Sequence, residues 1–214
     1  MTRRALCTDG DSLPALGVVR SLGRAGWEVD VVARHRAPLA GTSKYCNQVV
    51  PCHDPVCDRD GYVQNILELL TETRYDLLVP ITDWSIVPLL DVREELEKRT
   101  RVALASSEAV RITLSKSATM DLATREGVPT PRTWSIRTEE DWARASAKVS
   151  LPAVIKADTS KSWDAEGVGW HHPTVYGLNL KEASQHVLRL LWHGPVVVQE
   201  HLRGDGVGVA ALAR

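Results

Sequence analysis

The stretch Leu151-Pro152-Ala153-Val154-Ile155-Lys156-Ala157-Asp158-Thr159-Ser160-Lys161-Ser162-Trp163-Asp164-Ala165-Glu166-Gly167 sets a lysine inside an apolar strand and follows it with a polar loop. Ala153–Ala157 is read as the strand. A lysine there is costly unless its ammonium reaches solvent or an anion. Phosphate is a fitting counter-charge, because Ser160 and Ser162 add hydroxyl donors beside the loop's backbone N–H groups. Periodicity alone favours the plainer alternative, a snorkelling lysine on an edge strand. Val168–His171 is expected to be the return strand of a hairpin.

On the C-terminal side, Leu180–Trp192 is amphipathic, with Ala183, Val187, Leu190 and Leu191 on one stripe, and Gly194-Pro195 breaks it. Val196–Leu202 is a β-branched strand ending in Gln199-Glu200-His201-Leu202. Arg203-Gly204-Asp205-Gly206 is a turn, and a further strand is expected over Val207–Leu212. On the N-terminal side, Ser115 caps a helix that Gly127 ends, and Pro129 and Pro131 hold the next segment extended. A domain boundary is read here, giving 1–112 and 113–214.

Residues 1–112 alternate strand and helix. Strands are expected at Ala5–Thr8, Glu28–Ala33, Gln48–Val50, Asp76–Ile81 and Arg101–Ala105. Helices are expected after Asp11-Ser12 with Leu13, Leu16, Val19 and Leu22 on the stripe, over Gly61–Thr73, and from Thr82-Asp83 to about Arg99. The spacing is that of βαβ units and predicts a doubly wound parallel sheet. Ligands of such sheets sit beyond the carboxyl ends of the strands. Asp9, Gly10, Asp11, Thr82 and Asp83 fall on that rim, either as helix caps and turn residues or as the lining of a ligand cleft. The first turn lacks the G-x-G-x-x-G spacing of a dinucleotide site. Arg34 and Arg36, after the second strand, leave an NADP-binding domain as an alternative.

Composition bounds the rest. The chain has 214 residues, 26 basic and 27 acidic side chains, a formal charge of −1 and 43% hydrophobic residues. These are globular values and exclude disorder as the main state. Near-neutral charge argues against a general nucleic-acid binder. No apolar run approaches the roughly 20 residues of a membrane span. No secretory signal is read at the N-terminus, so a cytoplasmic location is expected. Four cysteines are too few for a disulfide scaffold. Cys46, Cys52 and Cys57 beside His53 match no usual zinc spacing and are read as loop thiols. Trp163, Trp170 and Trp192 are read as packing residues. His171-His172 is read as two side chains on opposite faces of a strand.

The order of these pieces is more specific than any one of them. A capped helix with Lys116 comes first, then Gly127-Val128-Pro129-Thr130-Pro131, then Leu151–Lys156 and its polar loop. Val196-Val197-Val198-Gln199-Glu200-His201-Leu202 with Gly204-Asp205-Gly206 closes the series. This resembles the ATP-grasp superfamily in its carbamoyl-phosphate-synthase-like branch, and Thr8–Pro51 with Val79–Asp83 resembles the family's pre-ATP-grasp domain. The resemblance implies an α/β fold, a parallel doubly wound pre-ATP-grasp domain followed by a partial α+β ATP-grasp domain. It implies phosphate contacts by Lys116 and Lys156, and a flexible loop over Thr159–Gly167 carrying Ser160 and Lys161. It implies an adenine-holding hinge at Gln199, Glu200, His201 and Leu202, with Asp205 near the ribose. The cofactor implied is ATP. Mg2+ is expected for the full-length enzyme, with its ligands outside this chain.

The activity implied is ligation of a small-molecule carboxylate to an amine or thiol through an acyl phosphate. Family members continue into a second lobe, so the chain is expected to be a fragment or truncated form. A non-catalytic adenine-nucleotide-binding module is the alternative. Homo-oligomers or self-association are expected through an exposed C-terminal strand edge. No nucleic-acid or membrane partner is expected.

Overall fold

In the computed structural model, residues 2–209 are described. In chain order the elements run β1 Arg4–Cys7, α1 Leu13–Arg24, β2 Glu28–Ala33, β3 Cys46–Pro51, α2 Arg59–Glu72, β4 Leu77–Val79, α3 Asp83–Asp91, α4 Arg93–Glu97, β5 Arg101–Val102 and α5 Ser107–Leu114. They continue α6 Lys116–Arg125, β6 Thr133–Ile136, α7 Glu139–Ser146, β7 Ala153–Ala157, β8 Lys161–Trp163, β9 Gly169–His171, β10 Val175–Gly177, α8 Leu180–Leu191 and β11 Val196–Glu200. The chain forms two compact units, Met1–Leu114 with Lys161–His171, and Ser115–Ser160 with His172–Arg214.

The first unit is built on a five-stranded sheet of order β3-β2-β1-β4-β5, parallel throughout. Its strands are apolar on both sides because helices cover both faces. Leu6, Val32, Ile66, Leu78, Leu89 and Leu96 fill one face, and Cys7, Ala15, Val19, Val29 and Val31 the other. This is the doubly wound parallel sheet expected from the sequence.

Several bounds differ from the expectation. β4 stops at Val79 because Pro80 has no N–H to continue the ladder. β5 is correspondingly short and pairs only with Leu77 and Leu78. The helix expected from Asp83 to Arg99 is two helices, separated at Val92 where ψ is 19°. Leu13 is 74% exposed and leaves the α1 stripe; Ala15 and Val19 are the buried positions. Pro14 sits in the first turn of α1, as its missing N–H allows.

The polar segment after Asp158 is not a plain loop. Lys161–Trp163 pairs antiparallel with Gly169–His171, so β8, not β7, is the partner of the return strand. The Asp164 carboxylate accepts the N–H groups of Glu166 and Val168, and Gly167 has φ +78°, which closes the turn. The hairpin packs into the first unit. Trp163 Nε1–H donates to Pro55 O at 2.7 Å, Gly169 N–H to Val56 O at 2.7 Å, and Arg59 N–H to Gly167 O at 3.3 Å. A Cβ on Gly169 would stand 2.5 Å from the Trp84 ring, so only glycine admits this approach.

The second unit holds a four-stranded antiparallel sheet of order β10-β7-β11-β6. Ile136, Ile155, Val196 and Val198 point to one face and pack on Trp142 of α7 and Ala183, Val187 and Leu190 of α8. α7 is announced by the capping box Thr138/Asp141. Trp192, at the end of α8, is 88% exposed and is not a packing residue, because it lies past the buried stripe of that helix. Trp170 is exposed and donates to Asp164. Trp163 does pack, edge-on to Trp84. Val207–Val209 are not in a strand, and the rest of the expected strand Val207–Leu212 lies outside the described residues.

Candidate functional site

The face of the second sheet away from α7 and α8 is read from the strand register. Lys156 lies opposite Val197, and Gln199 lies between Val154 and Thr133, so all of these share one face. β7 is an interior strand, paired on both sides, so Lys156 is not a snorkelling edge-strand lysine. Its ammonium donates to Gln199 Oε1 at 2.9 Å, and Gln199 Nε2 donates to Thr133 Oγ1 at 3.0 Å. A lysine has no acceptor, so this bond fixes which way the Gln199 amide points. Gln199 is 7% exposed, and both ends of its amide are used. Among the described residues the Lys156 ammonium meets no carboxylate within ion-pair distance.

Lys116 opens α6 beside the residues that follow β7. Its ammonium donates to Asp158 O at 3.2 Å and to Ser160 Oγ at 3.0 Å. The spacing of the sequence did not single out Asp158, yet it organises this corner. Its carboxylate accepts Ser117 N–H at 2.7 Å and the Ser115 hydroxyl at 2.7 Å, and its carbonyl accepts Lys116 N–H at 3.0 Å. An anionic side chain at the start of α6 satisfies donors that the helix leaves open. The pairing joins residues more than forty positions apart, which no local pattern reveals.

The remaining expected residues are spread more widely. Glu200 binds Arg132, taking its N–H and its Nε–H each at 2.9 Å. The backbone N–H of Arg132, then its guanidinium, hold the Glu200 carboxyl below the usual glutamate range. His201 lies edge-on to Tyr176 with ring centroids 5.9 Å apart, and Leu202 and Asp205 are exposed. Lys161 belongs by its contacts to the first unit, where its ammonium lies 4.5 Å from the Trp84 ring centroid. Burial lowers its pKa, and the charge of Asp83 opposes that shift.

On the rim of the first sheet, Asp9 is a clamp. It has φ +55°, and its carboxylate accepts Thr82 N–H at 3.1 Å, the Thr82 hydroxyl at 2.8 Å and the Ser85 hydroxyl at 2.5 Å. Ser12 caps α1 through Ala15 N–H. Capping and turn formation therefore describe these two residues. Asp9, Gly10, Asp11 and Thr82 also line a cleft of about 320 Å3, whereas Asp83 does not. Arg34, the anchor of the NADP alternative, is bound to Asp54 at 3.2 Å and lies 4.0 Å from Asp11. Among the described residues no three His, Cys, Asp or Glu side chains are grouped to hold a metal ion, and the four cysteines are free thiols. No helix among them is long and apolar enough to cross a membrane.

No family model matches the chain. The formate-dependent phosphoribosylglycinamide formyltransferase of Marinobacter nauticus is 30% identical over 146 residues, 68% of this chain and 35% of that protein. The chain thus spans about a third of the length of this curated relative. Among solved structures, the N5-carboxyaminoimidazole ribonucleotide synthetase of Thermus thermophilus superposes with a TM-score of 0.66 at 15% identity, covering 94% of this chain and 48% of that one. The L-amino acid ligase of Bacillus licheniformis superposes with a TM-score of 0.66 at 14% identity, covering 95% and 45%. Other neighbours were solved with ADP or magnesium ADP bound. These neighbours are ATP-grasp enzymes. The fold of the chain is that of their pre-ATP-grasp domain and part of the grasp domain.

Proposed function

Because the chain has the fold of the pre-ATP-grasp domain and part of the ATP-grasp domain, we propose that it is the ATP-binding part of a cytoplasmic ligase. That ligase joins a small-molecule carboxylate to an amine or thiol through an acyl phosphate. The observation that carries the reading is Lys156. An ammonium on an interior strand, held by a neutral amide and meeting no carboxylate among the described residues, is a positive charge suited to an anionic ligand.

The donor set fits a nucleotide triphosphate. Lys116 and Lys156 would contact the phosphates, with Ser160, already bound to the Lys116 ammonium, adding a hydroxyl. Backbone groups of the hinge over Gln199–Leu202 would hold the adenine, and Asp205 would face the ribose. ATP would supply the phosphoryl group that activates the carboxylate, and Mg2+, with ligands outside this chain, would neutralise charge between the phosphates. Gln199 acts through Lys156: anchored to Thr133, it keeps the ammonium from swinging, so less rotamer freedom is lost when an anion arrives.

The test is calorimetric titration of ATP into the chain and into Lys156→Ala. Removing a charge-assisted contact of about 1.5–3 kcal/mol weakens binding by about ten- to a hundredfold, with the circular-dichroism spectrum unchanged. Equal affinity in the two proteins sinks the role of Lys156.

A further inference from the structure

The cleft on the rim of the first unit is unused by the nucleotide reading. At about 320 Å3 it lies at the small end of the range for small-molecule sites. Val32, Ala33, Val56, Tyr62 and Trp84 give it apolar walls. Three carboxylates, Asp9, Asp11 and Asp54, stand on its lining against the Arg34 guanidinium, paired to Asp54, and the His35 ring, whose Nε2 lies 3.0 Å from Asp11. The lining also includes His53, whose Nδ1 lies 2.5 Å from the Asp58 carboxylate, so its charge, when present, is balanced next door. Carboxylates therefore outnumber cations.

The rim of a parallel sheet normally favours anions, because helices begin there and present unpaired N–H groups. Here the chain's own groups occupy those places. Asp9 sits at the start of α3, taking the N–H groups of Ile81 and Thr82. Asp58 caps α2 through Gly61 N–H at 2.8 Å. Ser12 caps α1, and Pro14 removes one of its donors. Gly61 is needed for this arrangement, since a Cβ there would stand 2.1 Å from the Asp58 carboxylate and 2.3 Å from the His53 ring.

We infer that this cleft binds a small molecule with an apolar body and a positively charged amine, and no phosphate. The ammonium meets the carboxylates at the mouth, and the body lies along Val56, Tyr62 and Trp84. As the site of the amine to be ligated it rests on the proposed function; as a binding site it rests only on its own lining.

The experiment titrates phenethylamine, 3-phenylpropanoate and phenyl phosphate separately into the chain without nucleotide. Fragments of this size bind with Kd values of about millimolar order. Phenethylamine is expected to bind about tenfold tighter than either anion. Asp54→Asn keeps an oxygen for Val56 N–H, which Asp54 accepts at 2.9 Å. It removes a charge and releases Arg34, so it weakens phenethylamine and strengthens phenyl phosphate. Lys156→Ala leaves phenethylamine binding unchanged, which separates this site from the nucleotide reading. Phenyl phosphate or 3-phenylpropanoate binding as tightly as the amine, no binding of the amine, or an amine affinity indifferent to Asp54→Asn would each overturn the inference.

Discussion

Asp30 is a carboxylate sunk in β2 with no exposed surface, and the chain surrounds it with partners. Arg4 pairs with it at 2.8 Å, the Tyr75 hydroxyl donates at 2.7 Å, and Asn47 and Gln48 donate at 2.8 and 2.9 Å. Removing one member of a buried pair strands the other. Asp30→Ala is expected to cost about 3 kcal/mol, a fall in Tm of about 10 °C by calorimetry for a chain of this size. The thiols give a second test at this scale. Burial pushes Cys7 and Cys52 up to about 12, whereas Cys57 is exposed. A thiol-specific reagent at pH 8 is expected to label Cys57 quickly, half-buried Cys52 slowly, and buried Cys7 only after unfolding. Asp58 supplies a pH test. The Gly61 N–H, then His53, hold its carboxyl below the usual aspartate range. Its contribution to stability is therefore complete above the unfolded-state pKa and is lost as pH falls through the lower folded value. The difference in Tm between the chain and Asp58→Asn should be full above the unfolded-state aspartate value of about 4 and shrink as pH falls through the lower folded value; a difference constant with pH across the acid range would contradict it.

At the level of elements, legibility followed local signal. β2 and β7 match their expected bounds because each is a compact β-branched run, and α8 is one residue short of its expectation because its stripe ends where Gly194-Pro195 begins. The sequence predicted the return strand near β9 but left β8 inside the polar loop, for a physical reason. Three residues, Lys161-Ser162-Trp163, carry no periodicity, and the bonds that dock their hairpin join Trp163, Gly169 and Gly167 to Pro55, Val56 and Arg59, about a hundred positions away. Its docking makes a prediction. Gly169→Ala forces a Cβ against the Trp84 ring and is expected to cost about 1–3 kcal/mol. The turn at Asp164–Gly167 should then be cut faster in limited proteolysis, and an unchanged cutting rate would mean that Gly169 is not the contact that seats the hairpin.

At the scale of the whole molecule, the two units differ in how far the sequence reached. The parallel sheet was legible from alternation, since continuous apolar strands separated by capped helices admit few other architectures. The lysines of the second unit were legible as residue types, but their environment was not. Gln199, Thr133 and Asp158 are joined to them by register and by contacts across forty or more positions. The rim cleft was half legible: Asp9, Gly10, Asp11 and Thr82 follow from strand ends, whereas Arg34, His53, Asp54 and Trp84 reach it only through the fold.

The account turns on a nucleotide site in this chain, and a thermal-shift titration with ATP, with and without Mg2+ and with NADPH as comparison, tests it most directly. A ligand that binds only the folded form adds about 2.7 kcal/mol at a hundredfold excess over Kd, a shift of several degrees here. The account predicts that shift for ATP, its loss in Lys156→Ala, and none for NADPH. No shift with ATP, an equal shift with NADPH, or a shift that survives Lys156→Ala would contradict it.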